Sequence, residues 1–348
     1  MKDAIVRDII YEFNHDAQNY TIFIVANTRN ILKETKKWDY NHASMDEFFS
    51  REEFAEIASA IFSVFGYVKV FYSEMEFINF VINNSIEKEK TIVYNFSRDG
   101  IKEGKKSLIP AFCDLLGIKY TGSNAFVISL LRNKFTYSSF LNNFEIPIPK
   151  TYYYSKEKGF LTEKPDCKTV IIKSINESAS IGMSENNIIT ILNNSNWEES
   201  LIKISNNMQD ERVMVQEYIP GLECEVLVLK VNNQYKALDP VLIKIKDSDI
   251  ITSKISNAYD YEFDLLQNNV CKETCDSICE YAEKSAELLC IDTYARFDFR
   301  IDYNGNCFLI DIAGTPYTIK HSSISYIFKQ YKLSYNDIYK VVVQLSKF

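Results

Sequence analysis

The chain has 348 residues, of which 46% are hydrophobic and 25% are charged, so its composition is that of a folded protein and excludes intrinsic disorder. The net charge of −8 disfavours broad electrostatic binding to nucleic acid or to anionic membranes. The first residues, MKDAIVRDIIYEF, offer no signal-peptide core, and no apolar run approaches the ~20 residues of a membrane-spanning helix. We therefore expect a cytoplasmic protein with reduced cysteines that binds neither nucleic acid nor membranes.

Strand and helix patterns alternate over the first third of the chain. The segment 20–27 is typical of a buried strand, and 50–66 of a helix that a Ser-x-x-Glu-like cap opens. Two further strands, YVKVFY and TIVYNFS, precede a short helix that ends at Gly117. This alternation predicts a parallel α/β sheet.

Residues 100–107, GIKEGKKS, come close to a P-loop but do not match it. Only three residues separate the glycines, and Lys106 stands where a P-loop requires Ser or Thr. The polar residues around it predict a solvated basic loop, with a Walker-type phosphate site as the alternative.

The middle of the chain predicts a helix over about 125–143, which the prolines of IPIPK at 146–150 bring to an end. The strand 168–173 ends in Lys173 and is followed by SINESASIGMS, a loop of small residues at 174–184. A lysine beside such a loop suits phosphate oxygens, although a surface turn with a solvated lysine explains the same pattern.

Three cysteines, Cys271, Cys275 and Cys279, share one face of a helix predicted at about 270–290. The same face continues through small and apolar residues, so we interpret these thiols as part of the core. A zinc site is the alternative, but structural zinc sites favour closely spaced CxxC pairs.

The segment ARFDFRIDYNGNCFLIDIA at 295–313 alternates charged and apolar residues, which is the period of a strand. Asn304-Gly305 predicts a two-residue type I′ turn, so paired residue numbers should sum to 609 and Asp298 should face Asp311. Directly opposed residues have Cβ atoms ~4.5–5.5 Å apart, where like charges destabilise a sheet. Either a divalent cation or the flanking arginines must therefore neutralise the pair.

Five segments, in this order, resemble the ATP-grasp superfamily and, within it, the D-alanine–D-alanine ligase family. They are IPAFCDLLGIKYTGS (109–123), RNKFTYSSFL (132–141), VIIKSINESASIGMS (170–184), VMVQEYIPGLECEV (213–226) and ARFDFRIDYNGNCFLIDIAGTPYTIKHSS (295–323). The resemblance implies a chain of α/β and α+β class with an ATP-grasp fold. It places an N-terminal parallel α/β domain at 1–124, a central lobe at 125–220 and a C-terminal lobe at 221–348.

The resemblance also implies the site residues. The expected ATP-binding residues are Lys134, Lys173, Glu177, Ser180, Gln216, Glu217, Ile219, Glu223 and Lys254. Arg296, Lys173 and Ser180 are expected to act in catalysis, with Arg296 stabilising the acyl-phosphate and tetrahedral anions. Asp298 and Asp311 fall on magnesium-ligand positions, and His321 and Ser322 on the pair that binds the acceptor's carboxylate.

Four positions depart from the family pattern. Ala313 stands where the family has a metal-binding Asn, and Ala179 replaces a loop serine that positions the donor. Tyr317 replaces a glycine whose backbone N–H holds the oxyanion, a strained exchange if the position needs a positive φ. After the first strand, FIVANTRN lacks the glycine pair and the glutamate that anchor the ammonium group of D-alanine.

The sequence thus predicts an ATP- and magnesium-dependent ligase that joins a small carboxylate donor other than D-alanine to an amino-acid acceptor through an acyl phosphate. The resemblance is also compatible with a homodimer. Two alternatives stay open: a nucleotide-binding or scaffold protein with impaired catalysis, and a D-alanine–D-alanine ligase with an unusual donor pocket.

Overall fold

The computed structural model describes residues 2–16, 20–29, 45–178, 181–192, 194–208, 211–246 and 248–347, which form three sheets and the helices packed on them. The predicted combination of α/β and α+β architecture is confirmed. The predicted domain boundaries at 124 and 220 stay predictions. No described helix is both long and apolar enough to cross a bilayer.

The first sheet has the strand order β2-β1-β3-β4, and every pair in it is parallel, as the sequence predicts. Its elements are α1 (Lys2–Asp16), β1 (Thr21–Ala26), α2 (Arg51–Val64), β2 (Tyr67–Phe71), α3 (Glu74–Asn83), β3 (Thr91–Phe96), α4 (Leu108–Leu116) and β4 (Lys119–Tyr120). Ser50 and Glu53 form the predicted capping box of α2. Gly117 ends α4 with a φ of 68°, a left-handed conformation that suits glycine.

The single helix predicted over 125–143 is wrong, because the chain forms two helices there. These are α5 (Ala125–Leu131) and α6 (Lys134–Asn142). The side chain of Asn133 accepts the N–H of Thr136 and so caps α6, while the N–H of Lys134 donates to Ile175 O instead of continuing α5. The break places Arg132 and Lys134 at a helix end, where both reach the cavity described below.

The second sheet is antiparallel, with the order β6-β5-β9-β7-β8. Its elements are β5 (Thr151–Ser155), β6 (Gly159–Phe160), β7 (Thr169–Ser174), β8 (Ile188–Thr190), α7 (Trp197–Asn207) and β9 (Arg212–Glu217). It encloses a small core of its own, which includes Val170, Leu201 and Val215.

The third sheet has the order β13-β12-β10-β14-β15, with β11 paired to β10. Its elements are β10 (Leu222–Val231), β11 (Gln234–Ala237), β12 (Val241–Lys244), α8 (Ser253–Ala258), β13 (Glu262–Leu265), α9 (Lys272–Leu288), β14 (Tyr294–Ile301), β15 (Cys307–Ala313), α10 (Ser323–Gln330) and α11 (Tyr335–Leu345). Helix α11 returns to pack against α1 and α2. One core cluster therefore joins the first and third sheets, with Ile24, Leu229 and Tyr339 among its buried residues.

Two of the three cysteines predicted to pack in the core do so, and the prediction is wrong for Cys271. Cys275 and Cys279 are buried in the same cluster as Ile278 and Ala282, while Cys271 is exposed at the helix N-terminus. The described residues contain no group of three or more His, Cys, Asp or Glu side chains that could hold a metal ion.

The hairpin of β14 and β15 turns differently from the prediction. Its loop has three residues, because the N–H of Asp302 donates to Asn306 O and the Asp302 carboxylate accepts the N–H groups of Asn304 and Asn306. Of the two predicted turn residues only Gly305 has a positive φ, at 86°. A two-residue turn with both φ angles positive occurs instead at Asn232 and Asn233.

A β-bulge then restores the predicted register. Ile301 pairs with Cys307, one residue away from the predicted partner, but the register shifts between Asp298 and Phe299, so that Ile310 is the extra residue. Beyond the bulge Asp298 faces Asp311, as predicted. The extra residue in the loop and the extra residue in the bulge cancel, which is why a wrong turn led to the right pair of carboxylates.

Gly221 lies where the backbones of β10 and β14 approach each other closely, and a substitution there tests this contact. Its φ is 133°, and a Cβ at this position would lie 2.0 Å from the backbone oxygen of Ile301. We expect Gly221→Ala to lower the free energy of unfolding by ~2–4 kcal/mol in urea titrations, because neither backbone can move without breaking the sheet. Gly66→Ala is the matched control, since no atom lies within 4 Å of its Cβ position. Equal stability of the two variants would contradict the prediction.

Candidate active site

A cavity of about 410 Å³ lies between the three sheets. It is lined by these residues expected from the sequence: Lys134, Lys173, Glu177, Gln216, Glu217, Ile219, Glu223, Arg296, Asp298, Asp311, His321 and Ser322. Lys254 does not line it and is exposed on α8, so its assignment to phosphate stays a prediction. Ser180 and Ala179 lie outside the described residues.

The ends of β7 and β9 form one wall of the cavity. Lys173 Nζ donates to Gln216 Oε1 at 3.0 Å, and Gln216 Nε2 donates to Thr151 Oγ1 at 3.1 Å. Burial lowers the pKa of Lys173 to about 8. The wall thus offers an ammonium group beside an apolar side chain, Ile219, which is buried.

Glu223 is held by an arginine that anchors several parts of the chain. Arg300 Nη1 lies 3.0 Å from Glu223 Oε2 and donates to Asp249 O, while Nη2 donates to Gly221 O. Burial raises the pKa of Glu223 although Arg300 opposes this. One oxygen of Glu223 therefore pairs with Arg300, and the carboxylate faces the cavity from a fixed position.

Three carboxylates stand in a row across neighbouring strands of the third sheet. Glu225 on β10 pairs in register with Asp298 on β14, which pairs with Asp311 on β15; we call these three the carboxylate row. Arg296 contacts two of its members: both oxygens of Asp298 at 2.7 Å, and Glu225 Oε1 at 3.2 Å. The sequence analysis missed Glu225, although the alternation in LECEVLVLKV puts it on the same face as Glu223.

Asp311 has cationic and neutral partners of its own. Lys134 Nζ lies 2.5 Å from its Oδ1, and Tyr137 Oη donates to the same oxygen at 2.8 Å. Burial alone would raise the pKa of Asp311, but Lys134 and Lys173 hold it below its ordinary value. Burial raises the pKa of Asp298 to about 7, against the attraction of Arg296. Flanking cations therefore balance the opposed carboxylates.

The same pair fits a magnesium ion. Mg²⁺ prefers oxygen ligands and is commonly held by one or two carboxylates together with substrate phosphates. Asp298 and Asp311 supply two such carboxylates on one wall of a cavity large enough for a ligand. Ala313 lies opposite Arg296 on the same face and adds no oxygen. Phosphate oxygens and water would have to complete the coordination.

Tyr317 carries none of the expected backbone strain. It is not among the described non-glycine residues with a positive φ, so its N–H is available without a costly conformation. Its ring lies 4.1 Å from the guanidinium carbon of Arg98, and its hydroxyl donates to Glu47 O at 2.8 Å. The tyrosine thus packs the loop after β15 against the first sheet.

His321 and Ser322 line the cavity at the start of α10. Four rings meet there, with His321 centred 5.1–5.4 Å from Tyr259, Tyr261 and Phe263. Ser322 caps α10 by accepting the N–H of Ser325, and its hydroxyl donates to Ile319 O at 2.7 Å. A helix N-terminus with free N–H groups favours a carboxylate, so this end suits an acceptor's anion.

Of the three lysines of GIKEGKKS, Lys102 is exposed but Lys105 and Lys106 are buried, so the predicted solvated loop is wrong at these two residues. Lys105 and Lys106 surround Glu47, whose oxygens lie 2.8 Å and 2.6 Å from the two ammonium groups, and Arg132 Nη2 lies 3.2 Å away. Burial would raise the pKa of Glu47, but the three cations hold it well below its usual range. The geometry of a Walker site is not formed, because the lysines point to a carboxylate.

This ion cluster reaches the loop after β7. Lys105 also lies 3.3 Å from Glu177, and the N–H of Ser178 donates to Glu47 Oε1 at 3.4 Å. Arg132 donates to Asn176 O and to Ser178 Oγ. The start of the predicted phosphate loop is therefore tied to the first sheet through Glu47.

Several cations of the site were missed by the sequence analysis. Arg29, Arg98, Lys106 and Arg132 all line one part of the cavity, which we call the basic end. Arg29 follows β1 and Arg98 follows β3. In open parallel sheets ligands bind at the carboxyl ends of the strands, so the positions of both arginines were a usable signal.

Comparisons with known proteins agree with this geometry. A family model described as D-ala D-ala ligase C-terminus matches residues 155–344. A D-alanine–D-alanine ligase of Wolbachia pipientis wMel is 25% identical over 257 residues, which cover 70% of this chain and 74% of that protein. The fold is similar to that of the D-alanine–D-alanine ligase of Bacillus anthracis complexed with ATP, with a TM-score of 0.66 and 12% sequence identity. The match covers 94% of this chain and 97% of that one.

A further structure, the D-alanine–D-alanine ligase of Coxiella burnetii, gives a TM-score of 0.64 at 13% identity, with 94% of each chain covered. The fold and the site thus define an ATP-grasp enzyme. The family model spans more than half of the chain, so the chain belongs to the D-alanine–D-alanine ligase family, as its motifs predict. It is an ATP-dependent carbon–nitrogen ligase of that type.

Glu47→Gln tests the ion cluster. The change leaves Lys105, Lys106 and Arg132 buried without their shared carboxylate, so we expect the free energy of unfolding to fall by ~3–5 kcal/mol in urea titrations at neutral pH. Glu87→Gln is the control, because Glu87 forms an exposed ion pair with Lys90 that contributes little. A Glu47→Gln protein as stable as the wild type would contradict the assignment.

The pH dependence of the same variant follows from the lowered pKa of Glu47. The stabilisation is present above the ordinary value of 4.5 and is lost as the pH falls through the lower folded pKa. The stability difference between wild type and Glu47→Gln should therefore be constant from neutral pH to about 5 and shrink below that.

Proposed function

We propose that the protein joins a small carboxylate donor other than D-alanine to an amino-acid acceptor, with ATP and Mg²⁺ and through an acyl phosphate. One carboxylate oxygen of the donor attacks the terminal phosphorus of ATP, the bond to the bridging oxygen breaks, and ADP leaves. The acceptor's amine then attacks the acyl carbon, phosphate leaves, and the nitrogen loses a proton, which gives an amide.

The side chains of the cavity divide these tasks. Lys134 and Lys173 hold the phosphate oxygens, and the apolar wall at Ile219 contacts the adenine. Arg296, fixed by its contacts to Asp298 and Glu225, stabilises the negative charge that develops on the acyl group. Asp298 and Asp311 would hold Mg²⁺, whose charge would offset that of the phosphate groups.

The observation that carries the proposed choice of donor is the basic end of the cavity. In the family pattern, a glutamate after the first strand anchors the ammonium group of D-alanine. Here β1 is followed by Asn27, Thr28 and Arg29, and Asn27 donates to Glu74, away from the cavity lining. Arg29, which lines the cavity at this place, offers no carboxylate to anchor an ammonium group.

The ligase proposal is tested by ADP release from a panel of carboxylic acid and amine pairs, with mass spectrometry of the products. We expect release that depends on both substrates, that stops when EDTA removes the metal and that returns with added Mg²⁺. Asp298→Asn should lower the rate by at least ~100-fold, because it removes a metal ligand. Asp276→Asn is the control, since Asp276 is exposed on α9 and does not line the cavity.

Release of ADP with D-alanine as the preferred donor would support the alternative of an unusual D-alanine–D-alanine ligase. No ADP release with any pair would contradict the proposal as a whole.

Lys173 predicts a pH profile. Because burial lowers its pKa to about 8, the ammonium group that attracts phosphate is lost as the pH rises through that value. We expect kcat/KM for ATP to fall above about pH 8, and Lys173→Arg, which stays charged, to lose this alkaline limb. Lys254→Met tests the remaining assignment: KM for ATP should rise if Lys254 binds phosphate, as the resemblance implies, and stay unchanged if it does not. A profile that is flat to about pH 9.5 would contradict the role of Lys173.

A further inference from the structure

Arg98 is a buried cation in the basic end of the cavity. Its side chain is 1% exposed, and its guanidinium carbon lies 4.5 Å from the ring of Phe49 and 4.1 Å from that of Tyr317. Nη2 donates to Thr315 O at 3.4 Å. Nε is buried, and among the described residues it has no hydrogen-bond partner. A planar cation packed against two rings with an unused donor is suited to bind an anion.

The acidic side chains near this end already have partners. Glu47 pairs with Lys105, Lys106 and Arg132. Glu53 lines the cavity, but its oxygens accept the N–H of Ser50 and the hydroxyl of Tyr259.

The remaining carboxylates are occupied as well. Glu177 faces Lys105 and Arg132, at 3.3 Å and 4.0 Å. Glu74, which follows β2, and Asp99, which follows β3, do not line the cavity. Glu74 accepts a hydrogen bond from Asn27, and Asp99 accepts one from the N–H of Gly100. In the part of the chain that the structure describes, Glu47 and Glu177 thus face cations, and Glu53, whose partners are neutral, already accepts a hydrogen bond at each oxygen.

The basic end is within reach of the reacting groups. Arg98 contacts Thr315. Thr315 follows Asp311 by four residues, so the Cα atoms of Thr315 and Asp311 are at most ~14 Å apart. Arg98 also stacks on Tyr317, at the position where the resemblance places the oxyanion N–H. A small molecule can thus have one group at Arg98 and another beside Arg296 and the carboxylate row.

From these contacts we infer that the donor carries a second anionic group, a carboxylate or a phosphate, which Arg98 binds while the other carboxylate is activated. The inference rests on the proposed ligase function and names its donor class. Arg29 and Lys106 line the same part of the cavity.

The test compares matched donors on the wild-type enzyme with ATP, Mg²⁺ and a mixture of amino-acid acceptors. Propionate and alanine carry one carboxylate, succinate and aspartate carry two, and phosphoserine carries a phosphate. We expect ADP release and an amide product with a dianionic donor at a kcat/KM about 10- to 100-fold above that of the matched monocarboxylate. The carboxylate and phosphate arms decide which second anion is used.

Arg98→Met keeps an apolar side chain packed against Phe49 and Tyr317 but removes the positive charge. It should raise KM for the dianionic donor about 10- to 100-fold and leave kcat at saturation and KM for ATP unchanged. Arg98→Lys should recover part of this loss. Lys320→Met is the control, because Lys320 lies in the same loop as Tyr317 but is exposed and does not line the cavity.

Three results would overturn the inference while the ligase function stands. They are a preference for monocarboxylate donors in the wild type, an unchanged KM for the dianionic donor in Arg98→Met, and a raised KM for ATP in that variant. The wild-type comparison decides the question even if Arg98→Met fails to fold. No ADP release with any donor would instead count against the proposed function.

Discussion

The buried carboxylate of Glu47 is the contact on which the arrangement of the site depends. It lies in the segment after β1, yet its partners come from the turn before α4 and from the break between α5 and α6. Through Arg132 it also fixes the start of the loop after β7. A buried ion cluster stabilises little by itself, since desolvation offsets most of its attraction, but it permits only one relative position of the parts that share it. That position brings Lys134 and Lys173 to the cavity.

The sequence predicted much of the fold because its signals are local. The capping box of α2, the end of α4 at Gly117 and the alternation in β14 depend on near neighbours and were predicted correctly. The wrong predictions of secondary structure arose where the hydrogen bonds of one side chain change the conformation that the sequence pattern predicts. Asp302 enlarges a turn that Asn304-Gly305 alone would keep at two residues, and Asn133 caps a new helix where periodicity continues.

The candidate site was predictable on its nucleotide side and hidden on its other side. Motifs with fixed spacing gave Lys173, Asp298 and Asp311, which line the cavity. The basic end gave no motif, because its residues are far apart in sequence and meet only in the folded chain. Lys105 and Lys106 show most clearly what the sequence could not predict. A basic stretch is usually solvated, and no residue near these lysines in sequence indicates that they pair with the distant Glu47.

The return of α11 to the first sheet has a mechanical consequence. One continuous core joins the first and third sheets, whereas the second sheet has its own separate core and is joined to its neighbours by the proline-rich 146–150 and by the turn at 220–221. Without a shared apolar core, the second sheet keeps its position relative to the other two through contacts at the cavity, such as those of Arg132 with Asn176 and Ser178.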